Sequence, residues 1–207
     1  MTTAKLPPRT VERLSKYRRL LDKYKDLEEA HIHSHRLAAM LNLTPEQVRR
    51  DLMLIGLNGN HRKGYNIQAL IEIIGNTIDR AEGHKVVIVG IGNLGSAVLG
   101  FIRKSNTKMD VVAAFDIDQN KINNRFAGVP CYDLLKAQTI IPNEQIKIAI
   151  LTVPPEVAVV TTNLLLQSGI RGILNFTSVH LDVPPGIYLK DYDIITSLEE
   201  IGFFIMD

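Results

Sequence analysis

The stretch HKVVIVGIGNLGSAVLGFI, from His84 to Ile102, constrains the fold more than any other part of this 207-residue chain. Val86–Val89 is a continuous apolar run, the pattern of a parallel-sheet strand covered on both faces. Gly90-Ile91-Gly92-Asn93-Leu94-Gly95 then turns into a helix that the pattern carries to about Lys104. A lone GxGxxG is weak evidence. Here a second strand, Val111–Phe115, follows it and ends at Asp116, 21 residues after Gly95. In that context Gly90 permits a tight turn, Gly92 lets a pyrophosphate approach the backbone, and Gly95 lets helix pack on strand. The helix start at Asn93 and Leu94 offers free N–H groups to the phosphates. Asp116 is placed to accept hydrogen bonds from adenosine ribose hydroxyls and to repel a 2′-phosphate, which favours NAD over NADP. Asp118 is a rival for that role. The bland alternative is an α/β domain whose glycine turn holds nothing.

Two more strand ends bear on the site. Ile148–Val153 runs into Thr152-Val153-Pro154-Pro155, and Gly172–Asn175 into Asn175-Phe176-Thr177-Ser178. Ligands of open α/β sheets bind beyond the carboxyl ends of strands, so both turns are expected to border the nicotinamide half. A dehydrogenase would also need a substrate pocket and a proton donor or acceptor. Only about 120 residues follow Gly83, and the nucleotide fold uses nearly all of them. His180 is the one candidate proton donor near a strand end, and it reads more simply as a partly exposed structural histidine. No catalytic residue is assigned, and an NAD-dependent oxidoreductase stays as the runner-up.

Charge separates the two ends of the chain. Residues 1–65 hold 13 Lys and Arg against 7 Asp and Glu, whereas residues 66–207 hold 11 against 15. A basic head on an acidic body suggests two domains, the first facing a polyanion. Within the head, Val11, Leu14, Tyr17, Leu21 and Tyr24 predict an amphipathic helix over 9–26. In SHRLAAMLNLTPEQVRRDLMLIG, Ser34 is expected to cap a short helix through Leu41, and Asn42-Leu43 to make a tight turn. Thr44 then caps a second helix with Pro45 at its first position. That makes a helix-turn-helix, whose second helix buries Val48, Leu52 and Ile55 and turns Gln47, Arg49, Arg50 and Met53 outward. Arginine there grips phosphate or pairs with guanine. Gln47 is ambiguous, because reaching back to complete a capping box would make it less available to a base. Asn58-Gly59 signals a hairpin that would carry His61, Arg62 and Lys63 as a basic wing toward the minor groove. The alternative is a small helical domain with a solvated basic face.

The remaining features narrow the class. Apolar residues make up 45% of the chain and mean hydropathy is +0.04, values of a globular protein. No apolar run approaches the roughly 20 residues of a membrane span, and the N-terminus lacks a signal-peptide core. Cys131 is the only cysteine, which fits a reducing cytoplasm. His31, His33 and His35 read as a solvated loop, with no Cys or carboxylate at ligand spacing, so no metal is expected. At the C-terminus, Thr196-Ser197-Leu198-Glu199 reads as a capping box opening a helix that ends in Phe203-Phe204-Ile205-Met206. So apolar an end must pack on its own sheet or on a second subunit.

The chain resembles the Rex redox-sensing transcriptional repressors over nearly its whole length. The resemblance rests on RLSKYRRLL, QVRRDL followed by GYNI, VGIGNLGSA, FDID, AILTVPPE, GILNF and DYDI. It implies an α/β homodimer: a winged helix-turn-helix over 1–80, a Rossmann-type parallel sheet over 84–190, and a swapped C-terminal helix over 191–207. It also implies that NADH closes the dimer and releases operator DNA, whereas NAD⁺ permits binding. By position, Gln47, Arg49 and Arg50 would face the major groove and His61 to Lys63 the minor groove. Arg19 would pair with Asp193 of the other subunit, beside Phe101, where the family has a tyrosine. Arg62 stands where the family has glycine, and Met53-Leu54-Ile55 lacks its aromatics. A nucleotide-binding scaffold without DNA affinity is the third possibility.

Overall fold

Leu14, Tyr17 and Leu21 line the buried face of α1, Pro8–Asp22, at three- and four-residue spacing. The computed structural model describes residues 6–24, 30–60, 62–79, 82–105 and 107–205. It turns Val11 to solvent and buries Thr10 instead. The reason is polar: the Thr10 hydroxyl donates to the buried carboxylate of Asp51 at 3.4 Å, a contact valine cannot make. The helix also stops at Asp22, short of the expected residue 26. The chain divides into two units, residues 1–81 and 82–207.

In the first unit β1 (His31–Ile32), α2 (Ser34–Met40), α3 (Pro45–Leu54), β2 (Tyr65–Asn66) and α4 (Ile67–Ile78) follow α1. Leu14, Tyr17, Leu37, Val48, Leu52, Leu70 and Ile74 form one apolar core beneath them. Three expectations change here. His31 and Ile32 are not loop, because they pair antiparallel with Asn66 and Tyr65. His33 takes the N-cap place of α2, and Ser34 is its first helical residue without a side-chain cap. The wing hairpin closes not at Asn58-Gly59 but between Asn60 and Gly64, which exchange backbone bonds of 2.7 and 3.2 Å. Asn60 Oδ1 accepts from the N–H groups of Arg62 and Lys63, and Gly64 supplies the left-handed residue at φ +75°. Gly59 has a different task, since a Cβ there would lie 2.6 Å from the Tyr65 ring. Thr44 caps α3 as expected, its Oγ1 accepting from Gln47 N at 3.2 Å. The sequence reading had no counterpart of α4, which Asn66 caps through Ala69 N.

The second unit alternates β3 (His84–Val89), α5 (Asn93–Lys104), β4 (Met109–Asp116), β5 (Arg125–Phe126), β6 (Val129–Asp133), α6 (Ala137–Asn143), β7 (Ile148–Leu151), α7 (Pro155–Gln167), β8 (Gly172–Asn175) and β9 (Tyr188–Asp191), and ends in α8 (Ile194–Phe204). The strand order is β5-β6-β4-β3-β7-β8-β9, with every neighbouring pair parallel except β5 with β6. This is the Rossmann order with one short strand added. The chain crosses from one half of the sheet to the other beside β3, which makes the end of β3 the switch point where such sheets take ligands. β7 stops at Leu151 rather than Val153, ahead of Pro154 and Pro155, which cannot donate to a ladder.

The C-terminal helix has no buried residue. Ile195, Leu198, Ile201, Phe203 and Phe204 are each more than half exposed, so α8 does not pack on its own sheet. Its cap is Asp193, not Thr196. The carboxylate accepts from Ile195 N at 2.9 Å, Thr196 N at 3.1 Å and the Thr196 hydroxyl at 2.7 Å. An aspartate there also favours the positive end of the helix dipole, and the helix starts three residues earlier than a capping box at Thr196 requires. Met206 lies outside the described residues, and β9 carries the sheet to Asp191, the first residue of the segment read as C-terminal helix.

Candidate cofactor site and nucleic-acid interface

Gly90 stands at φ +89°, and a Cβ on it would lie 2.7 Å from the Thr152 carbonyl oxygen. On Gly95 a Cβ would overlap the Gly90 carbonyl oxygen and come within 2.9 Å of Thr152 Oγ1. Gly92 is the opposite case, with no atom within 4 Å of an added Cβ. Two glycines therefore let the backbone close on itself, and the third leaves open space at the start of α5, where no side chain caps the helix. Open space beside uncapped N–H groups suits a pyrophosphate.

The ends of β3, β4, β7 and β8 lie side by side, since Val89 pairs with Phe115 and Leu151, and Leu151 with Asn175. The turns that follow them therefore gather Gly90, Asp116, Thr152 and Phe176 along one sheet edge. Asp116 is buried, and its carboxylate accepts from Ile91 N at 2.9 Å, Ile117 N at 2.8 Å and Asp118 N at 3.0 Å. Lys121 Nζ adds an ion pair at 3.1 Å. Burial pushes this carboxyl's pKa up, but bonds from Asp118 N, Lys121 and Ile91 N outweigh burial and hold it below the ordinary value. Asp116 thus ties the glycine turn to β4. Asp118 has a side chain 41% exposed, and its Oδ1 accepts from Asn120.

Thr152 Oγ1 donates to the carbonyls of Val89 and Gly90, bracing the turn from the far side. Val153 is half-buried and Pro154 exposed. Asn175 is fully buried and its amide is wholly used: Nδ2 donates to Val179 O and Asp191 Oδ1, and Oδ1 accepts from Thr177 N and Oγ1. It organises the turn rather than facing a ligand. Phe176 is half-buried against Tyr192, with ring centroids 5.2 Å apart, and His180 is exposed.

In the first unit, α3 buries Val48 and Leu52, with Ile55 half-buried, and exposes Arg49, Arg50 and Met53. Arg49 bonds Glu46 Oε1 at 2.7 Å and Ser34 Oγ at 3.2 Å. Gln47 does not close a capping box, because its Nε2 donates to Asp51 Oδ1 at 3.1 Å. Asp51, which sequence reasoning missed, is 1% exposed. Arg13 reaches it through Nε at 2.6 Å and Nη2 at 2.7 Å, and Tyr17 OH at 2.7 Å. Burial raises its pKa, but the bonds from Arg13 and Tyr17 and the charge of Arg13 leave it below the ordinary carboxylate value. The available signal was a carboxylate falling between Val48 and Leu52 on a face that must be buried. Arg62 and Lys63 are exposed on the hairpin, and His61 lies outside the described residues. Arg19 and Asp193 are exposed, as is Phe101 at 71%. Among the described residues no group of three or more His, Cys, Asp or Glu side chains could hold a metal ion.

A winged helix-turn-helix with outward arginines, in one chain with a dinucleotide-type glycine turn, defines a ligand-responsive DNA-binding protein. Residues 5–52 match the family described as "Putative DNA-binding protein N-terminus", and residues 81–179 that described as "CoA binding domain". The chain is 36% identical to the redox-sensing transcriptional repressor Rex of Bacillus licheniformis, across 99% of this chain and 95% of the relative. Identity to the Rex of a Geobacillus species is 35%, across 97% and 93%. The chain belongs to the Rex family of redox-sensing transcriptional repressors. Among solved structures it is similar to RSP, a Rex-family repressor, with TM-score 0.85 and 25% identity over 97% of this chain and 93% of that one. RSP in complex with NAD⁺ and operator DNA matches at TM-score 0.86 and 26% identity, over 97% and 92%. RSP in complex with NADH matches at TM-score 0.86 and 25% identity, over 98% and 95%. No helix among the described residues is long and apolar enough to cross a membrane.

Proposed function

We propose that this chain is a cytoplasmic homodimeric repressor that occupies an operator with NAD⁺ bound and leaves it when NADH takes its place. The observation that carries this is the pairing, in one chain, of an open glycine turn with an exposed arginine-bearing helix. Relatives that match over nearly the whole chain are named repressors, which sets the oxidoreductase aside. Gly90, Gly92 and Gly95 shape the pyrophosphate seat, and the N–H groups of Asn93 and Leu94 face it. Thr152, Val153, Pro154 and Phe176 border the nicotinamide, with Asn175 holding the turn beneath. Arg49 and Arg50, with Gln47 beside them, enter the major groove, and His61, Arg62 and Lys63 the minor groove. The uncovered α8 crosses to the second subunit, where Asp193 meets Arg19.

Arg50→Ala is the direct test of the DNA-binding half. Loss of a phosphate contact lowers affinity for all sequences about equally and reduces the salt slope by roughly one. Loss of a base contact instead costs about 1–3 kcal/mol at one operator position. NADH affinity stays as in the wild type. DNA affinity unchanged in both Arg49→Ala and Arg50→Ala contradicts the assignment of α3.

Between the rival aspartates, Asp118 is the ribose partner, because Asp116 already accepts from four protein donors. Asp118→Ala is expected to weaken NADH and narrow its preference over NADPH by roughly tenfold, the scale of a hydrogen bond to a charged group. An unchanged preference in an NADH against NADPH titration returns the role to Asp116.

Asp193 has two tasks, capping α8 and facing Arg19, and Asn separates them. Asparagine caps as well as aspartate but carries no charge. Asp193→Asn should keep NADH binding and DNA binding while shrinking the factor by which one weakens the other. A wild-type factor removes this pair from the switch.

A further inference from the structure

His33 and His35 stack at the start of α2, with ring centroids 5.3 Å apart and planes 18° from parallel. Together with Arg49, Asn58 and Asn60 they line an open cleft of about 610 Å³ between α3 and the Asn60–Gly64 hairpin. His33 leans on that hairpin, since a Cβ on Gly64 would lie 3.1 Å from His33 Nδ1. A recognition helix in the major groove and a wing in the adjacent minor groove straddle the sugar-phosphate strand that separates the two grooves. The cleft between α3 and the hairpin is therefore the course of that strand, and its walls meet phosphates.

The surroundings favour an anion. Arg49 from α3 lines the cleft, its one nearby carboxylate, Glu46, is paired with it at 2.7 Å, and Arg62 and Lys63 lie on the hairpin, whereas Arg36 of α2 sits over the Tyr24 ring. Two neutral imidazoles stack readily, whereas two imidazolium ions at this spacing repel each other unless an anion lies against them. We infer that His33 and His35 form a titratable clamp for a backbone phosphodiester of bound DNA, so that affinity for DNA rises as pH falls through the histidine range. The inference rests on the DNA-binding reading above. Phosphate favours the imidazolium form, so the gain is present at low pH and is lost as pH rises.

The test is binding of the full chain, with NAD⁺, to a mixed-sequence duplex at about pH 6 and about pH 8, either side of the ordinary histidine pKa of roughly 6.5. Each added phosphate contact steepens the salt slope by roughly one, so the wild type is expected to bind about five- to tenfold tighter at the lower pH. A His33→Gln, His35→Gln double variant is expected to lose most of this pH difference, His31 and His61 being the histidines that remain beside the DNA, and to show the shallower slope. His35→Arg should keep tight binding at the higher pH. A wild type indifferent to pH, or a double variant that keeps the full pH dependence, overturns the clamp and leaves the repressor reading standing. No binding to any duplex at either pH overturns both.

Discussion

Gly92→Val is expected to abolish NADH binding while the protein folds and holds DNA as before. At φ −76° the Gly92 backbone is in a conformation open to any residue, and no atom lies within 4 Å of an added Cβ. Neither strain nor a protein neighbour opposes the valine. Its branched side chain fills only the space in which the pyrophosphate would sit against the N–H groups of α5. Overpacking of this kind costs about 1–3 kcal/mol in a well-packed site, at least roughly fivefold in affinity, and the lost pyrophosphate contacts add to it. NADH titration, with DNA binding followed in parallel, reads both halves. DNA release by NADH should disappear with the cofactor. Gly95→Ala makes the contrast, because its Cβ meets the Gly90 carbonyl and must push α5 off the sheet, lowering stability as well. Wild-type NADH affinity in Gly92→Val places the cofactor elsewhere.

Asp51→Ala should unfold or loosen the DNA-binding unit. The carboxylate is 1% exposed and receives Arg13, Tyr17, Thr10 and Gln47. Removing it strands a guanidinium and a phenol, and breaking a buried ion pair from one side costs about 3–5 kcal/mol. The Arg13 side chain is 19% exposed and regains some water, which puts the expectation near about 3 kcal/mol. That is a large share of the roughly 5–15 kcal/mol that holds a domain together. DNA binding should fall with the stability of residues 1–81, while NADH binding, proposed for residues 82–207, should persist. Asp51→Asn keeps an acceptor and should lose less. The carboxyl's folded pKa is depressed, so its contribution is present above the unfolded value of about 4 and disappears as pH falls through the folded value. Thermal unfolding of the variant at neutral pH decides it, and an unchanged transition with intact DNA binding refutes the role.

What could be read from residues alone follows from how local each cause is. The glycine turn was legible because a Cβ on Gly95 would overlap the Gly90 carbonyl five residues back and Gly90 itself stands at φ +89°, constraints written into the motif itself. Thr44 was legible as a cap for the same reason, its bond closing over three residues. Asp51 was not, because its decisive partners Arg13 and Tyr17 lie 38 and 34 residues away, and a carboxylate in a basic helix looks solvated until they arrive. The hairpin was misplaced by one strong dipeptide, Asn58-Gly59, whose glycine serves the Tyr65 ring, whereas Asn60 and Gly64 supply the turn. In α8 the apolar excess was plain, but Asp193 outcompeted Thr196 for the cap because it bonds two N–H groups and a hydroxyl at once. That Asp116 accepts from four protein donors was not legible either, since Ile91 and Lys121 reach it only in the folded turn.

In the proposed function one chain couples the state of a nicotinamide cofactor to its grip on DNA. Coupling is reciprocal and typically amounts to about 1–3 kcal/mol, so it must appear as a change in DNA affinity between the two cofactor forms. The measurement is the dissociation constant of the wild-type protein for duplex DNA carrying its operator, at fixed salt, with saturating NAD⁺ and then with saturating NADH. Affinity is expected to be at least about tenfold weaker with NADH, a difference of about 1.4 kcal/mol. Equal affinities in the two forms, or tighter binding with NADH, would contradict it.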